Sequence, residues 1–90
     1  MNIEIQDPGR LISDGSSISS KATEFQSEIS TIYRIIDDLK NSWTGEAASR
    51  YTQNVESFRA DFEKFAQIMG EFGELINAVG TDYQNLESEL

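Results

Sequence analysis

The sequence predicts an all-α protein, a helix-turn-helix hairpin that pairs with a second hairpin to form a four-helix bundle. Apolar residues recur every three or four positions along two long stretches of the 90-residue chain. Such a period keeps one face of a helix against a neighbouring helix. The triplet Trp43-Thr44-Gly45 separates the two stretches near the midpoint. The period fails there, since extending the first stripe three residues beyond Trp43 would bury Glu46, and this failure favours a hairpin over one continuous rod.

The first arm is expected over about residues 8–41. Asp7 can cap a helix that starts at Pro8, because proline is tolerated at the first helical position. Before it, Ile3 and Ile5 alternate with polar residues, which indicates a short extended lead-in. The apolar stripe of this arm consists of Leu11, Gly15, Ile18, Ala22, Phe25, Ile29, Ile32, Ile36, Leu39 and Trp43.

The turn is expected at residues 42–45. Gly45 relieves the backbone there, and Ser42 or Thr44 can cap the helix that follows. Glu46 then falls in the first turn of that helix, where the helix dipole favours a carboxylate.

The second arm is expected over about residues 46–80 as one run, so Gly80 is its predicted end and residues 81–90 form a separate C-terminal segment. The second arm contains three glycines, Gly70, Gly73 and Gly80. They either permit a close approach of the two helices or make the distal part of the arm less stable as a helix. The apolar stripe of this arm consists of Ala48, Tyr51, Val55, Phe58, Phe62, Phe65, Met69, Phe72, Ile76, Val79, Tyr83, Leu86 and Leu90.

A hairpin of two helices buries only one narrow face of each, which leaves a wide apolar stripe partly exposed. Four residues that flank the stripe are expected to stay exposed in an isolated hairpin: Ile12, Ile35, Ala47 and Ala66. A second copy covers them most simply, so the predicted partner is the chain itself in a homodimer, with a different protein of similar hairpin shape as the alternative. The seam of hairpin and dimer is predicted at Phe25, Ile29, Ile32, Ile36, Leu39, Val55, Phe58, Phe62, Phe65, Met69 and Phe72.

The net charge of −9 argues against nucleic acid as a partner, because phosphates would repel the chain. No apolar run approaches the roughly 20 residues of a membrane span, so no stable membrane insertion is expected. The first ten residues lack the apolar core of a cleavable signal peptide. Composition alone therefore predicts a cytosolic protein, unless export uses a signal that only the folded protein carries. After Lys64 every charged residue is acidic, which indicates either a solvated helix face or a surface for a basic receptor.

The chain has no histidine and no cysteine, so the commonest general base, metal ligand and thiol nucleophile are missing. We therefore expect no catalytic residue, no metal, no cofactor and no enzymatic activity. Two groups of residues still invite a functional interpretation. Trp43 beside Gly45 either caps the end of the bundle or anchors a partner. Tyr83 and Glu87 are four residues apart, so on a helix they share one face.

These features together resemble the WXG family of hundred-residue type VII (ESX-type) secretion substrates, the early secreted antigen-like proteins. The resemblance covers nearly the whole chain. It is carried by Ile3-x-Ile5, Pro8 and Leu11, the first arm, Trp43-x-Gly45, Ala47 to Tyr51, and Tyr83-x-x-x-Glu87.

The resemblance implies a bacterial protein that is made in the cytoplasm, has no cleavable signal and is secreted as a folded antiparallel dimer by a machinery driven by an FtsK-type ATPase. It also implies a composite export signal, with Trp43 and Gly45 of one subunit beside Tyr83 and Glu87 of the other. A virulence-associated or interbacterial effector role would follow from such export. The alternatives are a cytosolic chaperone or adaptor that pairs with the helical N-terminus of a larger toxin, and a protein that disrupts membranes after exposure to acid.

Overall fold

The computed structural model describes residues 6–88, which form three helices and no strand. Helix α1 covers Pro8–Ser42, α2 covers Glu46–Glu56 and α3 covers Arg59–Ser88. Helix α1 packs antiparallel to the other two in an extended hairpin that measures 68 × 24 × 14 Å. The predicted all-α hairpin is confirmed. The expected lead-in at Ile3 and Ile5, and the last stripe position at Leu90, lie outside the described residues.

Helix α1 begins where the sequence predicts. The Asp7 carboxylate accepts a hydrogen bond of 3.0 Å from the Arg10 amide, and Pro8 occupies the first turn. The side chain thereby satisfies one of the amides that a helix start leaves without a partner.

The second arm is not one run, because the helix breaks at Ser57 and Phe58. At the break, the Phe58 amide donates a hydrogen bond of 3.2 Å to the Val55 carbonyl, three residues earlier, in a tight turn. The same carbonyl accepts a hydrogen bond of 2.8 Å from the hydroxyl of Tyr33 on α1. Helical bonding resumes from the Phe62 amide to the Phe58 carbonyl at 3.0 Å. A hydrogen bond from the opposite arm thus accompanies the break, which local helix propensity does not reveal.

The expected helix end at Gly80 is also wrong, since α3 continues to Ser88. Gly80 is buried against the start of α1, where a Cβ atom would lie 2.9 Å from the Pro8 carbonyl oxygen and 2.9 Å from the Ile12 amide nitrogen. Close packing against α1 supports the helix at this point and offsets the glycine's weak helix propensity. Of the two roles left open for the glycines, close approach applies at Gly73 and Gly80.

Small residues form the seam between α1 and α3. The buried positions recur every seven residues, at Gly15, Ala22 and Ile29 on α1 and at Ala66, Gly73 and Gly80 on α3. Ala66 is only 3% exposed, so the expectation that it would stay exposed is wrong. Its short side chain sits on the face of α3 that meets α1, and only small residues let two helices approach this closely.

The larger residues of the predicted seam are mostly not between the two arms. Ile29 is buried, whereas Phe25, Ile36 and Met69 are half-buried. The remaining seam residues are exposed: Ile32, Leu39, Val55, Phe58, Phe62, Phe65 and Phe72. The Phe25 ring contacts Phe62 and Phe65 edge to face, with centroids 6.3 and 5.7 Å apart, so the two arms present these residues on one side. We call this side the apolar face and define it by Phe25, Ile32, Phe62, Phe65, Met69 and Phe72.

The opposite side of the hairpin is polar. A groove of about 640 Å³ lies there, lined by Ser16, Ser19, Ser20, Thr23, Glu24, Glu74 and Asn77. The Asn77 side-chain amide donates to the Ser16 hydroxyl at 2.8 Å and to the Ile12 carbonyl at 3.2 Å, which ties α3 to α1 on this side. Within residues 6–88, no helix combines the length and the hydropathy that a membrane span requires.

Candidate functional site at the turn

Trp43 ends α1 and stands at the tip of the hairpin. Its backbone is extended, at φ −126° and ψ 106°, and its amide donates to the Leu39 carbonyl at 2.9 Å. The indole is 42% exposed and stacks on the ring of Tyr51, with centroids 6.3 Å apart and planes inclined by 14°. The stack holds the indole in one orientation while leaving much of its surface accessible to a partner.

Gly45 shapes the turn through its backbone. It lies at φ 113° and ψ 172°, a region that essentially only glycine occupies, and its carbonyl accepts the Ser49 amide at 3.0 Å to start α2. The expected cap from Ser42 or Thr44 is wrong. Gly45 itself occupies the N-cap position, α2 has no side-chain cap, and the Ser42 hydroxyl donates back to the Leu39 carbonyl at 3.3 Å.

A shallow groove of about 290 Å³ adjoins the indole at the turn. Its walls are Lys40, Trp43, Thr44, Gly45, Ser49, Thr52 and Gln53. The buried Thr52 hydroxyl is already committed to the Ala48 carbonyl at 2.8 Å. The groove therefore combines an aromatic wall with hydroxyl and amide groups and one lysine.

A network of charges stands beside the turn, around Tyr33. The guanidinium of Arg59 lies 5.2 Å from the centroid of the Tyr33 ring and pairs with Glu56 at 3.3 Å and with Glu63 at 3.5 Å. Lys40 of α1 lies 3.7 Å from the other oxygen of Glu56. This network joins α1 to both sides of the break between α2 and α3.

Two pKa values in the network are displaced. Burial raises the pKa of the Tyr33 phenol above its ordinary value, and the charge of Glu56 raises it further, while Arg59 opposes the shift. Hydrogen bonding to Glu56 raises the pKa of Arg59. Both groups therefore keep their protons at neutral pH, with Tyr33 as a neutral hydrogen-bond donor.

Sequence reasoning missed Tyr33, which is 1% exposed and is the most deeply buried large side chain among residues 6–88. It is not part of the apolar stripe, because it falls between Ile32 and Arg34. Its position four residues after Ile29 was the available signal, since i and i+4 residues share a helix face.

Tyr83 and Glu87 both lie on α3 near its end, with Tyr83 half-buried and Glu87 exposed. Their spacing of four places them on one face of the helix. Because Gly80 packs against the first turn of α1, this pair stands at the open end of the hairpin, whereas Trp43 and Gly45 stand at the closed end. One hairpin does not bring the two pairs together.

Comparison with known proteins points to one family. No curated protein matches this sequence significantly. A family described as "Proteins of 100 residues with WXG" matches residues 5–88, which include both arms and the Trp43-x-Gly45 turn. Its members are small helical proteins associated with type VII secretion and are not known as enzymes. Since the match spans nearly the entire chain, this protein belongs to the WXG100 family.

Proposed function

We propose that this protein is a substrate of a bacterial type VII secretion system and is exported as a folded homodimer. Its export signal is composite, formed by Trp43 and Gly45 of one subunit and by Tyr83 and Glu87 of the partner subunit. Recognition by the FtsK-type ATPase of the machinery would then require both subunits.

The observation that carries the proposal is the position of the two pairs at opposite ends of one hairpin. The exposed apolar face runs between them and includes Phe65 and Phe72. Soluble monomers rarely expose a continuous apolar surface of this extent, so a partner on this face is expected. If two hairpins pair antiparallel through it, each turn comes beside the open end of the other chain.

Charge favours the same orientation. In the described part of α3, every charged residue after Lys64 is acidic. Near the turn the charges are mixed, because Lys40, Arg50 and Arg59 each pair with a glutamate of the same chain. A parallel pair would bring two acidic ends together, while an antiparallel pair places each acidic end beside a turn region whose charges largely cancel.

The exposed indole supports a role in recognition. Tryptophan is among the residues that most often dominate binding energy at interfaces, and the stack on Tyr51 already fixes the Trp43 ring. Because the ring is already held in place, binding of a receptor costs less side-chain conformational entropy.

Export assays of single variants test the proposal. In the producing bacterium, Trp43→Ala and Tyr83→Ala are each expected to lower the secreted fraction at least about tenfold. Thr44→Ala and Gln84→Ala are the matched controls, because each removes the neighbouring side chain, and both are expected to be exported normally. The purified variants should remain helical by circular dichroism and should keep a native mass of twice 10.1 kDa. Normal export of both signal variants would contradict the composite signal.

A second function is favoured by the exposure of the apolar face itself, since any hairpin of similar shape could cover it. In that case the protein is a cytosolic adaptor for the helical N-terminus of a larger toxin. Native mass spectrometry distinguishes the two functions. A dimer of the protein alone supports the first, whereas a monomer that forms a one-to-one complex with a protein encoded beside it supports the second.

A further inference from the structure

A pocket of about 380 Å³ opens on the apolar face, over the N-terminal half of α1. Its walls are Ser17, Ile18, Lys21, Ala22, Phe25, Phe65 and Met69. Carbon atoms make up nearly all of the pocket surface, and the Lys21 ammonium pairs with Glu24 at 3.1 Å. Side chains around an unfilled apolar hollow lose packing contacts, so the pocket favours an apolar occupant.

The register of the two arms can be read from their closest contacts. A Cβ atom on Gly80 would lie 2.9 Å from the Pro8 carbonyl oxygen, and one on Gly73 would lie 2.7 Å from the Gly15 carbonyl oxygen. In both pairs the two residue numbers add to 88, so the residues of α1 and of the second arm that stand level have numbers with about this sum. Position 23 of α1 is therefore about level with position 65 of α3.

A second copy that covers the apolar face in the antiparallel orientation is centred near Phe65. The aromatic residues in the apolar stripe of the second arm run from Tyr51 to Tyr83, and their midpoint is about position 67. This inference rests on the proposed function, whose composite signal gives nearly the same centre. Trp43 is about level with position 45 of the second arm, so placing it beside Tyr83 of the partner subunit puts the centre at about position 64.

The symmetry of such a pair decides which partner helix meets the pocket. A two-fold rotation that reverses the ends and lays one apolar face on the other keeps α1 above the α1 helix of the partner. Centres at about positions 64 to 67 of the second arm correspond to about positions 24 to 21 of α1. Phe25 of the partner subunit then meets α1 at about positions 17 to 23, where Ser17, Ile18, Lys21 and Ala22 form one wall of the pocket.

We propose that Phe25 of each subunit inserts into this pocket of the other subunit, as two equivalent contacts beside the two-fold axis. The ring is half-buried in the single hairpin and lies edge to face against Phe62 and Phe65, so it is already held in place before the copies meet. A side chain that inserts between side chains of a facing helix also fixes the register of a bundle. Phe25 thereby sets the register that brings Trp43 beside Tyr83 of the partner subunit.

Mixed dimers of two variants test this insertion. F25A removes the inserted ring, and I18W fills the pocket that receives it, so each variant alone should form a weaker homodimer. In a mixed dimer, the enlarged side chain at position 18 lies opposite the shortened side chain at position 25. Native mass spectrometry of an equal mixture should show mixed dimers at least about tenfold above the geometric mean of the two homodimers, whereas independent sites give about twofold.

Ile32→Trp is the matched control, because it enlarges another residue of the apolar face that lies outside positions 17–23. Its mixture with F25A should stay near the twofold value. M69W fills the same pocket from α3 and replaces I18W if that variant does not fold. A twofold ratio or an absence of mixed dimers with the pocket-filling variant would overturn the insertion, and so would an equal preference when F62A replaces F25A. The proposed function fails separately, through a monomeric unaltered protein or normal export of both signal variants.

Discussion

The hydroxyl of Tyr33 donates a 2.8 Å hydrogen bond to the carbonyl of Val55, 22 residues further along the chain. This bond ties the C-terminal third of α1 to the last turn of α2, next to the point where the second arm breaks. Arg59, the first residue of α3, lies against the same ring. Tyr33 therefore links α1 to both α2 and α3 at the point where the second arm breaks.

Replacing Tyr33 by phenylalanine should destabilise the fold while leaving the packing of the ring intact. The Val55 carbonyl loses one hydrogen bond, which corresponds to roughly a threefold to tenfold drop in the ratio of folded to unfolded protein. Urea unfolding followed by circular dichroism measures it. Tyr51→Phe is the matched control, because the exposed Tyr51 hydroxyl stays with water, and an equal loss in both variants would contradict a special role of Tyr33.

The contribution of the Tyr33 hydroxyl to the free energy of unfolding should disappear at alkaline pH. Burial, followed by the charge of Glu56, raises the pKa of its phenol in the folded protein. The folded state thus holds a proton that the unfolded state has lost, and stability decreases as pH rises from about 10 through the raised pKa. The difference in unfolding free energy between the unaltered protein and Tyr33→Phe should narrow between pH 9 and pH 11. A difference that stays constant over that range would argue against this linkage.

Gly73→Ala should destabilise the hairpin, although alanine is the better helix former. The added Cβ atom would lie 2.7 Å from the Gly15 carbonyl oxygen and 2.7 Å from the Ser19 amide nitrogen, which are backbone atoms that cannot rotate away. We expect a loss of about 1–3 kcal/mol in the free energy of unfolding. Gly70→Ala is the control in the same helix, since its nearest neighbour would be the Ala22 Cβ atom at 3.9 Å. It should stabilise by about 0.5–1 kcal/mol, and a similar effect of both substitutions would refute the close approach.

Phe62→Glu should separate the predicted dimer without unfolding the helices. Phe62 is exposed on the apolar face, and a carboxylate there would have to lose its water when a second hairpin packs on it. Sedimentation at micromolar concentration should report a mass near 10.1 kDa in place of twice that value. Ala60→Glu adds the same charge at an exposed position two residues earlier and about 200° away, and it should leave the mass unchanged. Retention of the full dimer mass by Phe62→Glu would exclude the apolar face as the contact between copies.

The hairpin could be predicted because its signals are local. Asp7 and Pro8 mark the helix start, and the failure of the apolar period at Trp43-Thr44-Gly45 marks the turn. The break at Ser57 could not be predicted in this way, because the bond that accompanies it comes from Tyr33 on the other arm. Gly80 likewise looked like a helix end, and only its contact with Pro8 shows why the helix continues.

The apolar period identified which residues avoid water but not which neighbour covers them. A strip of 3.5-residue period can face the other arm, a second molecule, or both. In the structure the other arm covers the small residues, as at Gly15 and Ala66, whereas Phe65 and Phe72 stay exposed. The seven-residue recurrence of Gly15 and Ala22 was visible in the sequence and could have indicated the inner seam. The site at the turn was predicted through Trp43 and Gly45, while the stack on Tyr51 depends on the three-dimensional path of the turn.

The empty space around Gly45 has a consequence for whatever meets the tip of the molecule. Apart from Gly45 and its two neighbours in the chain, no atom lies within 4 Å of the point where a Cβ of this residue would stand, and the residue's dihedral angles would strain any replacement. A partner protein can thus approach the peptide backbone at Gly45 directly, with the exposed indole of Trp43 to one side. A receptor cleft that fits this surface closely would exclude helical hairpins with a side chain at the position of Gly45, because even a single methyl group there would keep the two backbones apart.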